Sequence, residues 1–252
     1  MKGALSDKVA LVTGAGQGVG EGCAIALADE GAAVACVGRT LSKVERVAEE
    51  IAARGGTAIA LQADVTDADD IRASVDATLE RFGTIDILVN NAVEPPAGRL
   101  NDLSEEALER GWRSGPLAAF RYMRLCYPHL KGGGVIINMG TGSALLPNLS
   151  GVGAYGMVKE AMRTLTRAAA CEWGPDGIRV NAILPLALSP AMKQYMDNIP
   201  PGRHNPAETV PLGRIGDVVE DIGRAVAMMC RPEMSYVTGT TLALDGGQTP
   251  MR

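Results

Sequence analysis

A tyrosine and a lysine at helical spacing are the residues of this sequence that could most directly do acid–base chemistry. Tyr155 and Lys159 open an apolar run with the periodicity of one long helix. Side chains four residues apart on a helix lie on the same side, so the phenol and the ammonium would act on one site. A nearby positive charge favours the ionised form of a phenol. The pair predicts a general acid or base near neutral pH, although an exposed tyrosine beside a solvated lysine has the same spacing.

A glycine-rich turn near the start of the chain has the features of a phosphate cradle. Gly14, Gly18 and Gly20 stand in the pattern T-G-x-x-x-G-x-G, between an apolar run at 9–12 and a helical pattern at 21–30. Strand, glycine turn and helix in this order let the backbone approach a pyrophosphate whose charge faces the helix N-terminus. A turn without a ligand can carry the same glycines, but the position between a strand and a helix favours phosphate binding.

Apolar runs and helical patterns alternate along the whole chain. The predicted strands are 9–12, 34–38, 58–61, 85–89, 135–138, 178–183 and 241–244, and the predicted helices are 21–30, 41–54, 67–82, 104–130, 155–173 and 218–229. Strands and helices that alternate at this spacing predict βαβ units. We therefore expect an α/β fold with a parallel sheet, helices on both of its faces, and a single domain spanning 1–252.

Two segments depart from this regular pattern. Gly115 and Pro116 lie inside the predicted helix 104–130, and an interior proline removes a hydrogen bond, so we expect a kink or an unwound turn there. The segment 191–211 is rich in Pro, Met and polar residues, which predicts an irregular loop. Because long loops of this kind are often lids or binding loops, we expect a substrate loop at about 188–212.

The composition argues against several classes of partner. The net charge is −5 and the pI is about 5.2, with no Lys/Arg cluster, so nucleic acid is not an expected partner. Two histidines, His129 and His204, lie far apart and predict no His-based metal site. Five scattered cysteines without a C-x-x-C pair are typical of reduced, buried thiols. With no apolar run of transmembrane length and no room for a signal peptide before the first strand, a cytoplasmic protein without a membrane partner is expected.

Taken in order, the motifs resemble those of the short-chain dehydrogenase/reductase family, and the resemblance covers nearly the whole chain. The residues that carry it are Thr13 with the glycine turn, Asp64-Val65, Asn90-Asn91-Ala92, Thr141 and Ser143, Tyr155 and Lys159, Pro185, the segment 211–214 and the segment 237–247. Ordered matches of this number are far more specific than any one motif. They strongly favour the functional interpretation of Tyr155 and Lys159.

The resemblance implies a Rossmann-type, doubly wound, seven-stranded fold and an NAD(P)-dependent oxidoreductase. It implies hydride transfer between the C4 of a nicotinamide and a carbonyl or secondary-alcohol substrate. Tyr155 would exchange a proton with the substrate oxygen, and Lys159 would lower the pKa of Tyr155 and hold the nicotinamide ribose. The residues implied to bind the cofactor are Gly14, Gln17, Gly18, Val19, Gly20, Arg39, Asp64, Val65, Asn91, Ala92, Tyr155, Lys159 and Leu188. A homo-oligomer, with a tetramer expected, would pair through the helices near 104–130 and 152–173 and through the C-terminal strand.

The hydroxyl that polarises the substrate oxygen is ambiguous within this resemblance. Counting forward from the asparagine of the fifth strand gives Thr141, whereas counting back from Tyr155 gives Gly142, which lies between Thr141 and Ser143. We favour Ser143 because serine is the usual residue in the family. Either hydroxyl could instead only cap a turn.

Three residues depart from the family pattern. Val93 and Leu186 stand where the family usually has glycine, and Gly115, beside Ser114, stands where it has a catalytic asparagine. The amide that would hold a water is therefore missing. The departures keep a second hypothesis open, in which the chain binds a dinucleotide but has lost most turnover and has a structural or regulatory role. The retained tyrosine and lysine argue against that hypothesis.

The end of the second predicted strand bears on the choice of cofactor. In the family, an acidic residue there binds the adenosine ribose of NAD, whereas a basic residue accepts the extra phosphate of NADP. Here the acidic position is Gly38 and Arg39 follows, so NADP is favoured over NAD. Gln17 stands where NADP-preferring relatives often have a second basic residue, and this keeps NAD open.

Overall fold

A single parallel sheet organises the chain. The computed structural model describes residues 3–146, 151–199 and 205–249. Within them the strands are β1 Val9–Thr13, β2 Ala33–Gly38, β3 Thr57–Gln62, β4 Ile87–Asn90, β5 Val135–Met139, β6 Arg179–Pro185 and β7 Thr241–Leu244. Their order in space is β3-β2-β1-β4-β5-β6-β7, and all pairs are parallel. The seven-stranded, doubly wound sheet predicted from the sequence is confirmed.

Helices cover the sheet on both faces. They are α1 Gly18–Asp29, α2 Leu41–Ala53, α3 Ala68–Phe82, α4 Glu105–Trp112, α5 Ala118–Leu130, α6 Gly153–Trp173, α7 Pro190–Asp197 and α8 Arg224–Cys230. Side chains fix two of the starts, since Asp67 accepts hydrogen bonds from the first turn of α3 and Ser104 from that of α4. Such caps satisfy amides that have no partner within the helix.

The alternation of side chains along β1 shows why the sheet is buried on both sides. Ala10 and Val12 belong to one apolar core with α1, α2 and α8, whereas Leu11 belongs to a second core with α3, α5 and α6. A strand buried on both faces has a continuous apolar sequence, as β1 does. Packing on both sides holds the strand ends rigidly, and the carboxyl ends of β1 and β4 meet where the strand order reverses. That point is the usual ligand position in such sheets.

Two of the predicted helices contain widened turns. Arg113–Leu117 is π-helical and separates α4 from α5, because Pro116 cannot donate a hydrogen bond to the preceding turn. The hydroxyl of Ser114 instead donates to the carbonyl of Arg110 at 2.7 Å. The unwound turn expected here is therefore present. A second π-helical segment, Val218–Gly223, precedes α8 within the predicted helix 218–229.

The prediction of an irregular loop over 191–211 was wrong at its start, where α7 forms. The side-chain oxygen of Ser189 caps the first turn of α7, and Pro190 occupies the first helical position. Serine followed by proline is a known helix-start signal, which the many polar and proline residues downstream concealed. A short 3₁₀ turn follows at Pro206–Thr209, while residues 200–204 of the expected substrate loop lie outside the described residues.

Candidate active site

The glycine turn after β1 leaves no space for side chains. Gly14 and Gly18 have φ angles of 66° and 61°, the left-handed region that glycine adopts freely. A Cβ on Gly14 would lie 2.7 Å from Nδ2 of Asn91, and one on Gly20 would lie 2.2 Å from the Gly14 oxygen. The side chain of Gln17 makes no hydrogen bond to the first turn of α1. The amides at this helix end therefore have no side-chain cap and are suited to an anion.

A hydrogen-bond network ties the turn to the end of β4. Thr13 Oγ1 accepts from the backbone N–H groups of Asn91 and Ala92, at 3.0 and 3.1 Å, and donates to the Val89 oxygen at 3.3 Å. The Asn91 amide donates to the oxygens of Thr13 and Gly14, at 3.0 and 3.2 Å. These bonds explain why a threonine opens the turn and why asparagine follows β4. Their common effect is to hold both walls of one crevice.

A cleft of about 410 Å³ opens at these strand ends. It is lined by residues after β1, β2, β3, β4 and β6. The predicted cofactor residues that line it are Gly14, Gln17, Gly18, Val19, Arg39, Asp64, Val65, Asn91 and Ala92. Lining residues that the sequence reasoning missed include Lys43, Glu94 and Ser189. The tight glycine turn, the uncapped helix end and the cationic side chains fit a dinucleotide.

Four of the predicted cofactor residues do not line this cleft: Gly20 and Leu188, and also Tyr155 and Lys159 on α6. Gly20 lies inside α1, where its missing side chain allows close packing on the turn. Leu188 is 47% exposed, and its N–H donates to the Gly216 oxygen at 2.8 Å. The next residue, Ser189, lines the cleft instead, and a Cβ on Gly18 would lie 3.2 Å from the Ser189 Cβ.

The turn after β3 is shaped by Asp64. One of its carboxylate oxygens accepts from both the backbone N–H and the hydroxyl of Thr66, each at 2.9 Å, and its own N–H donates to Asp70 at 2.8 Å. Val65, the next residue, is 5% exposed. The carboxylate therefore fixes the backbone that forms this wall of the cleft.

Charged side chains occupy the outer part of the cleft. A guanidinium nitrogen of Arg39 lies 3.1 Å from one oxygen of Glu94, whose other oxygen lies 3.2 Å from Nε of Arg110. Lys43 on α2 donates from its ammonium to Oε1 of Gln17 at 2.6 Å. Gln17 is not itself basic, but Lys43 from the next helix places a positive charge beside it. Sequence spacing gives no sign of this pairing, since the two residues lie on different elements.

Tyr155 and Lys159 lie on α6, at the carboxyl end of β5. Lys159 is 2% exposed, and its ammonium donates to the Met139 oxygen at 2.6 Å while lying 5.8 Å from the centroid of the Tyr155 ring. Burial lowers the pKa of Lys159 to about 7. Burial also raises the pKa of Tyr155 to about 12, against the opposing effect of a hydrogen bond with Thr141. The direction is opposite to the lowered phenol pKa that the sequence predicts, because burial has a larger effect on Tyr155 than its polar neighbour.

Thr141 contacts both Tyr155 and the turn that carries Ser143. Thr141 is 8% exposed, and its side chain hydrogen-bonds Tyr155. Thr141 Oγ1 also accepts from the backbone N–H of Ser143 at 3.3 Å and so caps the 3₁₀ turn Gly142–Ala144. Ser143 is an exposed residue of that turn. One threonine thus both shapes the turn and contacts the phenol.

The valine and the glycine that depart from the family pattern meet in space. A Cβ on Gly115 would lie 2.9 Å from a methyl carbon of Val158 and 3.4 Å from a methyl carbon of Val93. Val158 precedes Lys159 on α6. A Cβ at position 115 would therefore require the Val158 methyl to shift, while Val93 lies at about van der Waals contact beside it.

Across residues 3–146, 151–199 and 205–249, no three His, Cys, Asp or Glu side chains are grouped so that they could hold a metal ion. No helix in the same part of the chain has the length and apolar character needed to span a bilayer.

Comparisons with known proteins give one consistent class. Residues 14–249 match the family described as Enoyl-(Acyl carrier protein) reductase. The chain is 37% identical over 254 residues to a 12alpha-hydroxysteroid dehydrogenase from a Clostridium species. The match covers 97% of this chain and 98% of the relative. It is also similar to the 3-ketoacyl-(acyl-carrier-protein) reductase of Brucella melitensis complexed with NADH, with a TM-score of 0.88 and 33% identity, covering 98% of this chain and 100% of that chain.

A third similar protein carries the other cofactor. This short chain dehydrogenase from Burkholderia cenocepacia was solved in complex with NADP. Its comparison with this chain gives a TM-score of 0.88 and 32% identity, covering 97% of this chain and 99% of that chain. The similar structures thus include one nicotinamide cofactor of each kind. They support a nicotinamide cofactor without deciding between the two.

Proposed function

The chain belongs to the short-chain dehydrogenase/reductase family, and we propose that it catalyses NAD(P)-dependent interconversion of a carbonyl and a secondary alcohol in a small molecule. The observation that carries this proposal is the placing of Tyr155 and Lys159 together on α6, with the Lys159 ammonium 2.6 Å from the Met139 oxygen and 5.8 Å from the centroid of the Tyr155 ring. This pair lies at the carboxyl end of β5, next to β4, whose end forms one wall of the dinucleotide cleft. A proton donor and a cofactor site thus share one edge of the sheet.

In the proposed reduction, a bound nicotinamide supplies a hydride to the carbonyl carbon. Tyr155 gives its proton to the carbonyl oxygen, and the reverse reaction returns both. Thr141 donates a hydrogen bond that holds the same oxygen, which stabilises the charge that develops there. Lys159, when protonated, places a positive charge beside the phenol and favours loss of its proton. The cofactor residues of this proposal are those that line the cleft together with Gly20, Tyr155, Lys159 and Leu188.

The competing function is dinucleotide binding without turnover, and the filled space around Gly115 favours it. An absorbance assay of nicotinamide oxidation and reduction over a panel of ketones and alcohols separates the two. The panel includes a hydroxysteroid, a tetrahydroxynaphthalene and a 3-ketoacyl thioester, the compound classes that appear in the names of similar proteins. Turnover of any panel member supports the oxidoreductase. Tight cofactor binding with no turnover across the panel supports the alternative.

We propose NADP as the favoured cofactor, with NAD as the alternative. Arg39 and Lys43 both line the cleft, and a guanidinium is well suited to a phosphate. Arg39→Ala is expected to lower the ratio of kcat/KM with NADPH to that with NADH by about ten- to a hundredfold, since a hydrogen bond to a charged group contributes about 1.5–3 kcal/mol. A wild-type enzyme that prefers NADH, or a ratio unmoved by the substitution, would contradict the assignment.

We propose Thr141, rather than Ser143, as the hydroxyl that polarises the substrate. Thr141→Ala is expected to lower kcat by about a hundredfold, because it removes a hydrogen bond to the reacting oxygens. Ser143→Ala is expected to change kcat by less than about threefold, and Thr141→Ser should restore most of the activity. Steady-state kinetics with NADPH measure all three variants. Equal and mild effects of both alanine substitutions would refute both assignments.

Three further proposals concern the oligomeric state, the substrate loop and the cellular location of the enzyme. We propose a homo-oligomer, with a tetramer expected, that pairs through the helices near 104–130 and 152–173 and through the C-terminal strand. The exposed apolar side chains Trp112, Phe120 and Met157 on these helices support it. We also propose that 188–212 forms the substrate loop. All five cysteines are free and four are buried, which supports a cytoplasmic location.

A further inference from the structure

A bridge of three charged side chains spans the cleft from β2 to α4. Arg39 follows β2, Glu94 follows β4, and Arg110 lies on α4. Each oxygen of the Glu94 carboxylate contacts one of the two guanidinium groups, at 3.1 Å for Arg39 and 3.2 Å for Arg110. Since β1 lies between β2 and β4, the Arg39–Glu94 pair passes over the end of the strand that carries the glycine turn.

A backbone hydrogen bond fixes the position of Glu94. Its N–H donates to Oγ of Ser114 at 2.8 Å, and that hydroxyl in turn donates to the Arg110 oxygen at 2.7 Å. The widened π-helical turn that contains Ser114 therefore anchors the loop carrying Glu94. Among the described residues, Glu94 is the one acidic side chain that forms an ion pair with Arg39. The cation expected to bind the extra phosphate of NADP already has an anionic partner.

We infer that Glu94 sets the cofactor selectivity of this enzyme, by competing with the extra phosphate of NADP for Arg39. The inference rests on the proposed function and deepens it. NADP differs from NAD by a phosphate that carries nearly two negative charges. A phosphate on Arg39 displaces the carboxylate or shares the guanidinium with it, and the two anions repel each other. NAD adds no charge there and leaves the pair intact.

The expected effect is modest because both partners are partly exposed. The side chains of Arg39 and Glu94 are 60% and 38% exposed, so solvent and salt screen their interaction. Removal of the Glu94 charge is expected to tighten NADPH binding by about three- to tenfold and to change NADH binding by less than about twofold. The gain should shrink as salt is raised.

Glu94→Gln tests the inference, because it keeps the size of the side chain and removes its charge. The readout is the dissociation constant of NADPH and of NADH, measured by nicotinamide fluorescence without substrate. Glu94→Ala is a second variant, which removes the residual hydrogen bond to Arg39 as well. The matched control is Glu106→Gln, since Glu106 pairs with Arg110 at 2.8 Å but has no ion pair with Arg39. The control should leave the ratio of the two constants unchanged.

The same measurement on Glu94→Gln in an Arg39→Ala background completes a double-mutant cycle for the two residues. There the NADPH gain from Glu94→Gln should fall below about twofold, because the contested cation is absent. An unchanged ratio of the NADPH and NADH dissociation constants, or a gain that persists without Arg39, would overturn this inference but not the proposed function. Failure of the wild type to bind either cofactor would overturn the proposed function, and the inference with it.

Discussion

Replacing Tyr155 by phenylalanine is expected to lower kcat by at least a hundredfold while changing the dissociation constant of the cofactor by less than about threefold. The substitution removes the proton donor and retains the ring, and positioned general acids contribute about 10²- to 10⁴-fold. The hydrogen bond with Thr141 is lost, but the Lys159 ammonium keeps its partner, the Met139 oxygen. Steady-state kinetics and a separate binding titration measure the two effects.

A second phenol provides the control for this prediction. Tyr236 is fully exposed, so Tyr236→Phe makes the same chemical change far from any buried contact and should leave kcat unchanged. If Tyr155→Phe retained more than about a tenth of the wild-type activity on a good substrate, the proton would come from another group. The assignment of the general acid would then be wrong.

Much of the fold could be predicted because its signals are local. The apolar run of β1 and the glycine turn after it follow from rules that act within a few residues. Pro116 likewise predicts an interrupted helix, because proline has no backbone N–H to donate. The alternation of such elements then left few topologies open, because parallel crossovers are right-handed and sequential strands lie close together. Seven predicted strands thus became one sheet.

The parts that could not be predicted depend on contacts between distant residues. Glu94 follows β4, and only the fold brings it to Arg39; the same holds for Lys43 and Gln17. The contact between Thr141 and Tyr155 likewise joins the end of β5 to α6, so residue type and spacing could not predict it.

The electrostatics of the site show the same limit. Spacing placed Tyr155 and Lys159 on one side of a helix, but it could not show that the ammonium would bond the Met139 oxygen. Burial then acts on both groups and makes each charged form costly. Burial therefore raises the pKa of the phenol to about 12 and lowers that of the lysine to about 7.

Lys159→Ala is expected to damage both turnover and cofactor binding. The ammonium is the cationic group beside Tyr155, so its loss should lower kcat by at least about a hundredfold. If Lys159 also holds the nicotinamide ribose, cofactor affinity should fall by about ten- to a hundredfold, the contribution of a hydrogen bond to a charged group. Lys159→Met retains most of the buried volume and separates loss of charge from formation of a cavity. Unchanged cofactor affinity in both variants would contradict the binding role.

The pH dependence of stability provides a test of Lys159 that needs neither cofactor nor substrate. Burial lowers its pKa from 10.5 to about 7 in the folded protein. Between these values the unfolded chain binds a proton that the folded protein does not, so the free energy of unfolding rises with pH across this window. The cost of the buried charge is complete below about pH 7 and disappears above about pH 10.5, a change of a few kcal/mol. Lys159→Met lacks this group, so its free energy of unfolding relative to wild type should fall as pH rises from 7 to 10. Urea titrations at several pH values measure that difference, and a difference independent of pH would show that the lysine titrates normally.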